Sequence, residues 1–468
     1  MGPGVSSEQP LAASGADYLG NPVSGEPEAL AAVDEFVAGF IGYETRAANV
    51  VRNAAARPDH GLLNLYAAAL FMLMESPQGP GRAQPFLEKA RAADLNQRER
   101  RTADFLAAWA EGDLPLAAAL SEAIARDWPR DLAMVKLCQY LAFNRGDSAG
   151  MLRIALQALP AAEDVAQMHG MAAFGYEERH LFTDAERAGR RALEMRRGEP
   201  WAQHALAHVM LTQGRIDEGA RFLEGASETW DNLNSFMATH NWWHLCLFYL
   251  SQGRNEAVLR AFDAHCWAGD KDYSQDQVGA VSLLARAELA GIDVGDRWGE
   301  VAERIAARGI DVEQPFLALQ YLYALIRAGR AEAPALLAAI RQRASAAPTF
   351  ARTAWAEAAS PAAEGLAAYL AGQHPAAIRE LGAALPQLPQ IGGSHAQRDL
   401  FEQVWLAALI GDGRWGEAQQ ALERRRAFDP DGAPLNLMLA RTYAALELPA
   451  QAAAARARAE ATIARYAA

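Results

Sequence analysis

Cysteine is scarce in this chain. Its three cysteines, Cys138, Cys246 and Cys266, are too few and too scattered for a disulfide framework, which fits a reducing compartment and an expected cytoplasmic location. Long apolar runs are missing as well. The longest, Leu62 to Met74, is interrupted by Asn64 and is too short to span a bilayer, so no membrane partner is expected. The first sixteen residues lack a basic n-region and an apolar h-region, so no signal peptide is expected. Runs of Val, Ile and Thr alternating with period two are absent, which argues against strands. No long basic run occurs and the net charge is −13. Affinity for nucleic acid comes largely from Lys and Arg on phosphates, so no nucleic-acid partner is expected. Walker loops, G-x-G-x-x-G, G-x-S-x-G, H-E-x-x-H and C-x-x-C are all absent. Nucleotide binding, serine hydrolysis and zincin chemistry therefore have no motif behind them.

What is present is helix-forming. Hydrophobic residues make up 51% of 468 residues, Ala dominates, and Leu, Arg and Glu are frequent; all are strong helix formers. Residues 1 to about 26 are rich in Gly, Pro and Ser and are expected to be mobile or draped on the surface. Helical periodicity starts near Glu28 with EALAAVDEFVAGFIGY. A second helix is expected from about Gly61 to Met74, ended by the loop Ser76 to Arg82.

From about Arg98 a repeated grammar appears. Gly112, Ala117 and Pro129 share their spacing with Gly372, Ala377 and Pro389, and with Gly413, Ala418 and Pro430. The Gly ends the first helix of a hairpin with a left-handed residue. The Ala sits where two helices cross closely, and the Pro terminates the second helix. These are the spacings of the tetratricopeptide repeat. Gly214 with Gly219 is another copy without the Pro, and looser copies surround residues 175 to 193 and 251 to 262. The grammar predicts an all-α fold, a right-handed α-solenoid of tetratricopeptide-like helical hairpins, with residues 27–468 as one repeat domain. The stretch 386 to 398 reads as a loop, with a capping box at Ser394 and Gln397 that starts a helix.

The chemistry concentrates between Trp201 and Gly279. His169, His204, His240 and Asp276 follow one another at intervals of 35, 36 and 36 residues, and His208 precedes His244 by 36. Residues four apart share a helix face, so His204 pairs with His208 and His240 with His244. Corresponding positions of successive repeats lie side by side, which predicts that the two pairs flank each other. By likeness to tetratricopeptide repeats, these positions face the concave groove.

Three readings fit this row. Two or three of His204, His208, His240 and His244 could ligate a divalent metal, since imidazole and carboxylate suit Zn²⁺, Mn²⁺ or Fe²⁺. The row could instead line a metal-free pocket, with Trp230, Trp242, Trp243 and Trp267 as apolar walls and His204, His240, Glu177 or Asp276 as acid or base. Or it could be packing, with buried polar groups satisfying one another. Glu177 and Glu178 read as solvated charges at a helix end, or as carboxylates that orient the imidazoles. Cys246 near His244 and Cys266 beside His265 offer a Cys–His pair only if geometry brings them together; Cys246 reads as a small apolar residue. The glycines of GGSHAQRD could hold an anion, or simply form a turn with a cap.

Several segments together resemble the tetratricopeptide repeat protein 38 family. They are DYLGNPVS, HALAHV, ATHNWWHLCLFYLSQGR, VSLLARAELAGIDVGDRW and GGSHAQRDLFEQ, running from Asp17 to about Gln403. The resemblance implies a helical-repeat fold. It also implies a His pair like His204 and His208, an H-N-x-W-H like His240 to His244, and an acidic position like Asp276. It carries over no reaction, and it gives His169 and His395 no role. The expectation is a concave pocket lined by His204, His208, His240, Trp243, His244 and Asp276, with Glu177 near, that binds a small molecule or short peptide. An enzyme using the same groups, with a divalent metal as the one cofactor in view, is the rival. A scaffold working through its outer faces is the third reading, and homo-oligomerisation is left open.

Overall fold

The computed structural model of the protein describes residues 15–466. Among the described residues 24 α-helices follow one another, and the only strands are Gly15–Ala16 and Pro22–Val23. The fold is an all-α solenoid of helical hairpins. No described helix is long and apolar enough to cross a membrane. Contacts group the chain into two compact units. The first holds the chain up to Leu141 with Arg153–Asp164; the second holds Ala142–Leu152 and everything from Val165 on.

In the first unit, part of the segment expected to be mobile is packed. Residues 1–14 lie outside the described residues. Gly15–Ala16 and Pro22–Val23 pair antiparallel, and Leu19 and Val23 are buried. Arg98 secures the turn: it donates to the Pro22 carbonyl at 2.8 Å and forms a buried ion pair with Asp131 at 2.6 Å. The helix expected near Gly61 runs Gly61–Met72. The next, Gly79–Ala92, begins inside the stretch expected to be a loop, because Pro80 occupies a first-turn position where its missing N–H costs nothing.

In the second unit the hairpin grammar has a direct physical reading. Gly214, Gly253, Gly372 and Gly413 take φ of 70°, 69°, 71° and 73° between paired helices, the left-handed region that other residues avoid. In the looser copy around residue 180, His180 itself takes φ 58°. Ala377 and Ala418 are fully buried at the crossings. At the equivalent Gly219, a Cβ would lie 2.3 Å from the Phe248 ring of the next hairpin. Gly219→Ala is therefore expected to lose stability. Overpacking costs about 1–3 kcal/mol, and better helix propensity returns only about 1 kcal/mol. Gly225→Ala on the same helix, where a Cβ meets nothing, is expected to be neutral or stabilising; urea unfolding of the two variants checks the pair.

The first helices of successive hairpins stack in order: Ala166–Glu177, Pro200–Thr212, Ser235–Ser251, Ser274–Leu289. The array then curls back, because Ser274–Leu289 also packs on the much later helix His395–Gly411. Buried Arg286 ties the two, donating to the Ala396 carbonyl at 2.6 Å. The capping box is present: Ser394 Oγ accepts from Gln397 N at 3.2 Å and Gln397 Oε1 accepts from Ser394 N at 2.9 Å. The stretch before it is only partly a loop. Leu385–Ile391 winds into a 3₁₀ helix, a common continuation of an α-helix C-terminus.

Candidate functional site

Two helices supply the imidazoles. Pro200–Thr212 starts at Pro200, and the Glu199 carboxylate caps its first N–H groups. Ser235–Ser251 is capped by Asn234, which accepts from Met237 N at 2.9 Å. Spacing of four puts His204 and His208 on one face of the first helix and His240 and His244 on one face of the second. All four are buried.

The rings meet through the same atom. His208 Nε2 and His204 Nε2 lie 3.1 Å apart, His204 Nε2 and His240 Nε2 3.1 Å, and His240 Nε2 and His244 Nε2 3.2 Å. Hydrogen bonding satisfies such a chain poorly. Each Nε2 carries either one N–H or one lone pair, yet those of His204 and His240 each face two neighbours. Nitrogens at this spacing can share one ion where three of them lie mutually close. In a tetrahedron with Zn–N of about 2.0–2.1 Å, donor atoms stand about 3.3 Å apart. His204, His208 and His244 each offer a ligand atom within 4.8 Å of the other two.

The environment keeps three of the rings, those of His204, His240 and His244, neutral. Burial depresses His204 and His244 well below the usual imidazole value, and with the His208 ring nearby it brings His240 down to about 3. Neutral imidazole is the form a metal binds. Trp201 stacks on His204 at 4.3 Å between centroids, and Trp243 on His240 at 5.3 Å. Phe174 meets His204 and His208 edgewise or tilted.

A second group adjoins the first. His208 Nδ1 lies 3.3 Å from Glu177 Oε2, and Glu177 Oε1 lies 2.6 Å from His395 Nε2. Burial would raise the Glu177 carboxyl, but His208 and His395 outweigh it and hold it at about 2. Burial would lower the His395 imidazole, but Glu177 outweighs that and pushes it up to about 9. Glu178 lies beside them, its carboxyl raised chiefly by burial. Glu177 and Glu178 are buried, which corrects their reading as solvated charges: the returning helix His395–Gly411 covers them. His395, given no role in the sequence reading, is a direct partner of Glu177. The signal for it was the capping box that starts its helix.

The remaining candidates lie elsewhere. Asp276 accepts from Thr239 Oγ1 at 3.0 Å, from Asp270 N at 2.8 Å and from Ser235 Oγ. It clamps its helix to the first turn of Ser235–Ser251, and no imidazole is among these partners. His169 is half-buried and belongs to neither metal-compatible group. Of the expected tryptophan walls, Trp243 touches the imidazoles. Trp230 bonds Gln203, Trp242 stacks on His265, and Trp267 bonds Glu300. Trp201 takes the place expected for them. Cys246 and Cys266 face each other, with sulfurs 3.9 Å apart, so the two supposed Cys–His pairs are in fact one pair of thiols.

Burial raises the Asp276 carboxyl to about 6 against its three hydrogen bonds. A carboxyl raised above its unfolded value of about 3.9 holds its proton more tightly in the native state. Stability should therefore fall as pH rises from about 4 to 6 and then level off. Asp276→Asn should remove that slope. The expected difference between the two curves approaches about 3 kcal/mol, read from urea unfolding across this pH range.

Fold and site together define a helical-repeat protein with a buried polyhistidine centre. No family model matches the chain. Among solved structures it is similar to the human IFIT1 dimer with m7Gppp-AAAA, at 12% identity, TM-score 0.44, covering 94% of this chain and 96% of that one. It is also similar to the human IFIT1 dimer with PPP-AAAA, at 12% identity, TM-score 0.42, covering 95% and 96%. A third likeness is to the P58(IPK) TPR domain, at 11% identity, TM-score 0.21, covering 79% and 96%. The exclusion of nucleic acid as a partner is corrected by the two IFIT1 complexes, whose chains carry capped and triphosphate oligonucleotides. Net charge sums the whole surface, whereas phosphate contacts depend on local Lys and Arg.

Proposed function

We propose that this protein binds a divalent transition-metal ion through His204, His208 and His244, with His240 adjoining the set through His204 and His244. The observation that carries this reading is that His204, His208 and His244 each offer a ligand atom within 4.8 Å of the other two, in a row of Nε2 contacts of 3.1–3.2 Å that passes through His240. An all-imidazole donor set suits Zn²⁺, Cu²⁺, Ni²⁺ or Fe²⁺ better than Mg²⁺ or Ca²⁺. Glu177 supports it from behind: a carboxylate on Nδ1 keeps the proton there and turns the Nε2 lone pair inward. A small organic ligand or short peptide is less well supported between the rings, where the nitrogens leave room for an atom and not for a molecule. The same reading favours membership of the tetratricopeptide repeat protein 38 family, since HALAHV and HNWWH supply all four imidazoles. A cytoplasmic setting agrees with three cysteines that form no disulfide.

Elemental analysis of untagged protein, expressed with Zn, Fe, Mn, Co, Ni and Cu supplied, tests the proposal. The expected result is at least one ion per chain that survives desalting. Metal-free protein after such expression, with no uptake on titration, would overturn it.

A further inference from the structure

The group behind His208 has the makings of a second cation site. Glu177 and Glu178 end the helix Ala166–Glu177, where the helix dipole is negative and favours a cation. His395 is brought to them by an unusual approach. Gly392 and Gly393 take φ of 84° and 75°. A Cβ on Gly392 would lie 2.9 Å from the Asn144 carbonyl oxygen, and one on Gly393 2.9 Å from the Phe316 ring. Only glycines let the loop run this close, and Ser394 then starts the helix with His395 as its first residue.

Four residues each offer a ligand atom within 4.8 Å of all the others: Glu177, Glu178, His208 and His395. Two of the facing atoms, Glu177 Oε2 and His208 Nδ1, are buried and have only each other, 3.3 Å apart. Charge points the same way. Two buried carboxylates face one imidazole at 2.6 and 4.0 Å. The Arg398 guanidinium donates to the Gly392 and Gly393 carbonyls and acts on the two carboxylates only through space. His180 stands with its ring 5.1 Å from that of His395. A divalent ion would bind both carboxylates and take the place of the proton between Glu177 Oε2 and His208 Nδ1.

His208 belongs to both groups, and its two ring nitrogens point in different directions. Nε2 faces His204 at 3.1 Å and Nδ1 faces Glu177 at 3.3 Å. We propose that Glu177, Glu178 and His395 bind a second divalent cation, bridged to the first through the two ring nitrogens of His208. This rests on the polyhistidine reading and extends it to a dinuclear centre with one nitrogen-rich and one oxygen-rich half. When both ions bind, His208 gives up its ring proton to solvent and bridges as imidazolate. Mixed carboxylate–imidazole donors suit Zn²⁺, Mn²⁺ or Fe²⁺ in the second half.

The test is stoichiometry on the full-length, chelator-stripped chain titrated with Zn²⁺ and desalted. Wild type should retain two ions. Glu178→Gln, which keeps the size and shape of the side chain, should retain one. Glu177→Gln/His395→Gln, which removes both charges together, should also retain one. His204→Ala/His244→Ala should lose the first ion and keep the second. Thermal melts of the stripped variants show that each is folded. Wild type holding a single ion that Glu178→Gln holds equally well would overturn the second site and leave the first intact. Wild type holding none would overturn both. Loading with Cu²⁺ tests the bridge: two ions coupled through one imidazolate lose most of their integrated electron paramagnetic resonance signal. Full signal from two ions would overturn it.

Discussion

His204→Ala is expected to lower Zn²⁺ affinity by at least about 100-fold, because loss of even an outer-shell partner costs about 10–100-fold and His204 is proposed as a direct donor. Its Nε2 is in contact with those of both His208 and His240, at 3.1 Å each, so it sits in the middle of the chain of imidazoles. A hundredfold loss removes about 2.7 kcal/mol of metal-linked stabilisation when the ion is in excess. The measurement is the difference in melting temperature with and without Zn²⁺, for wild type and variant. Taking the difference separates the lost ligand from the cavity that alanine leaves, which affects both states alike. If the zinc-dependent increment in the variant equals that of wild type, His204 is packing and not a ligand.

The second large effect concerns His395. In the metal-stripped protein its half-buried ring pairs with the buried Glu177 carboxylate at 2.6 Å. Removing one partner of such a pair strands the other charge and costs about 3–5 kcal/mol. His395→Ala should therefore unfold at markedly lower urea. Glu177→Gln/His395→Gln should recover part of the loss, since no charge is left orphaned. The pH dependence follows from the two shifts. Glu177 is held at about 2, so its contribution is present above its unfolded value of about 4.3 and is lost as pH falls through about 2. His395 is raised to about 9, so its contribution is complete below its unfolded value of about 6.5 and is lost as pH rises through about 9. The pair should stabilise most between those unfolded values, and the His395→Ala penalty should shrink on either side. A penalty that stayed constant from acid to alkaline pH would show that the lost stability comes from packing and not from charge.

Much of the site could be read along the chain because it comes from neighbouring repeats. One period of 36 residues separates His204 from His240 and His208 from His244, so the stacking of like positions converts a linear interval into contact. Hairpin ends were legible for the same reason: a glycine at each left-handed turn is a local requirement. Other features had no local signature. Trp201, which stacks on His204, carries no local signal of that role, because a tryptophan in a helix is ordinarily core. Asp276 shares the repeat interval, yet its oxygens turn to Ser235 and Thr239; period places a residue on a level without choosing its rotamer.

The sequence by itself determined the helices, their pairing into hairpins and the alignment of the four histidines, all consequences of interactions within one or two repeats. Only the tertiary structure decided that Glu177 meets His395, 218 residues further along, and that two glutamates at a helix end are buried and not solvated. That contact depends on the curvature accumulated over several stacked hairpins. No short stretch of chain encodes this curvature, because each interface adds a small rotation and only their sum brings the ends of the arc together.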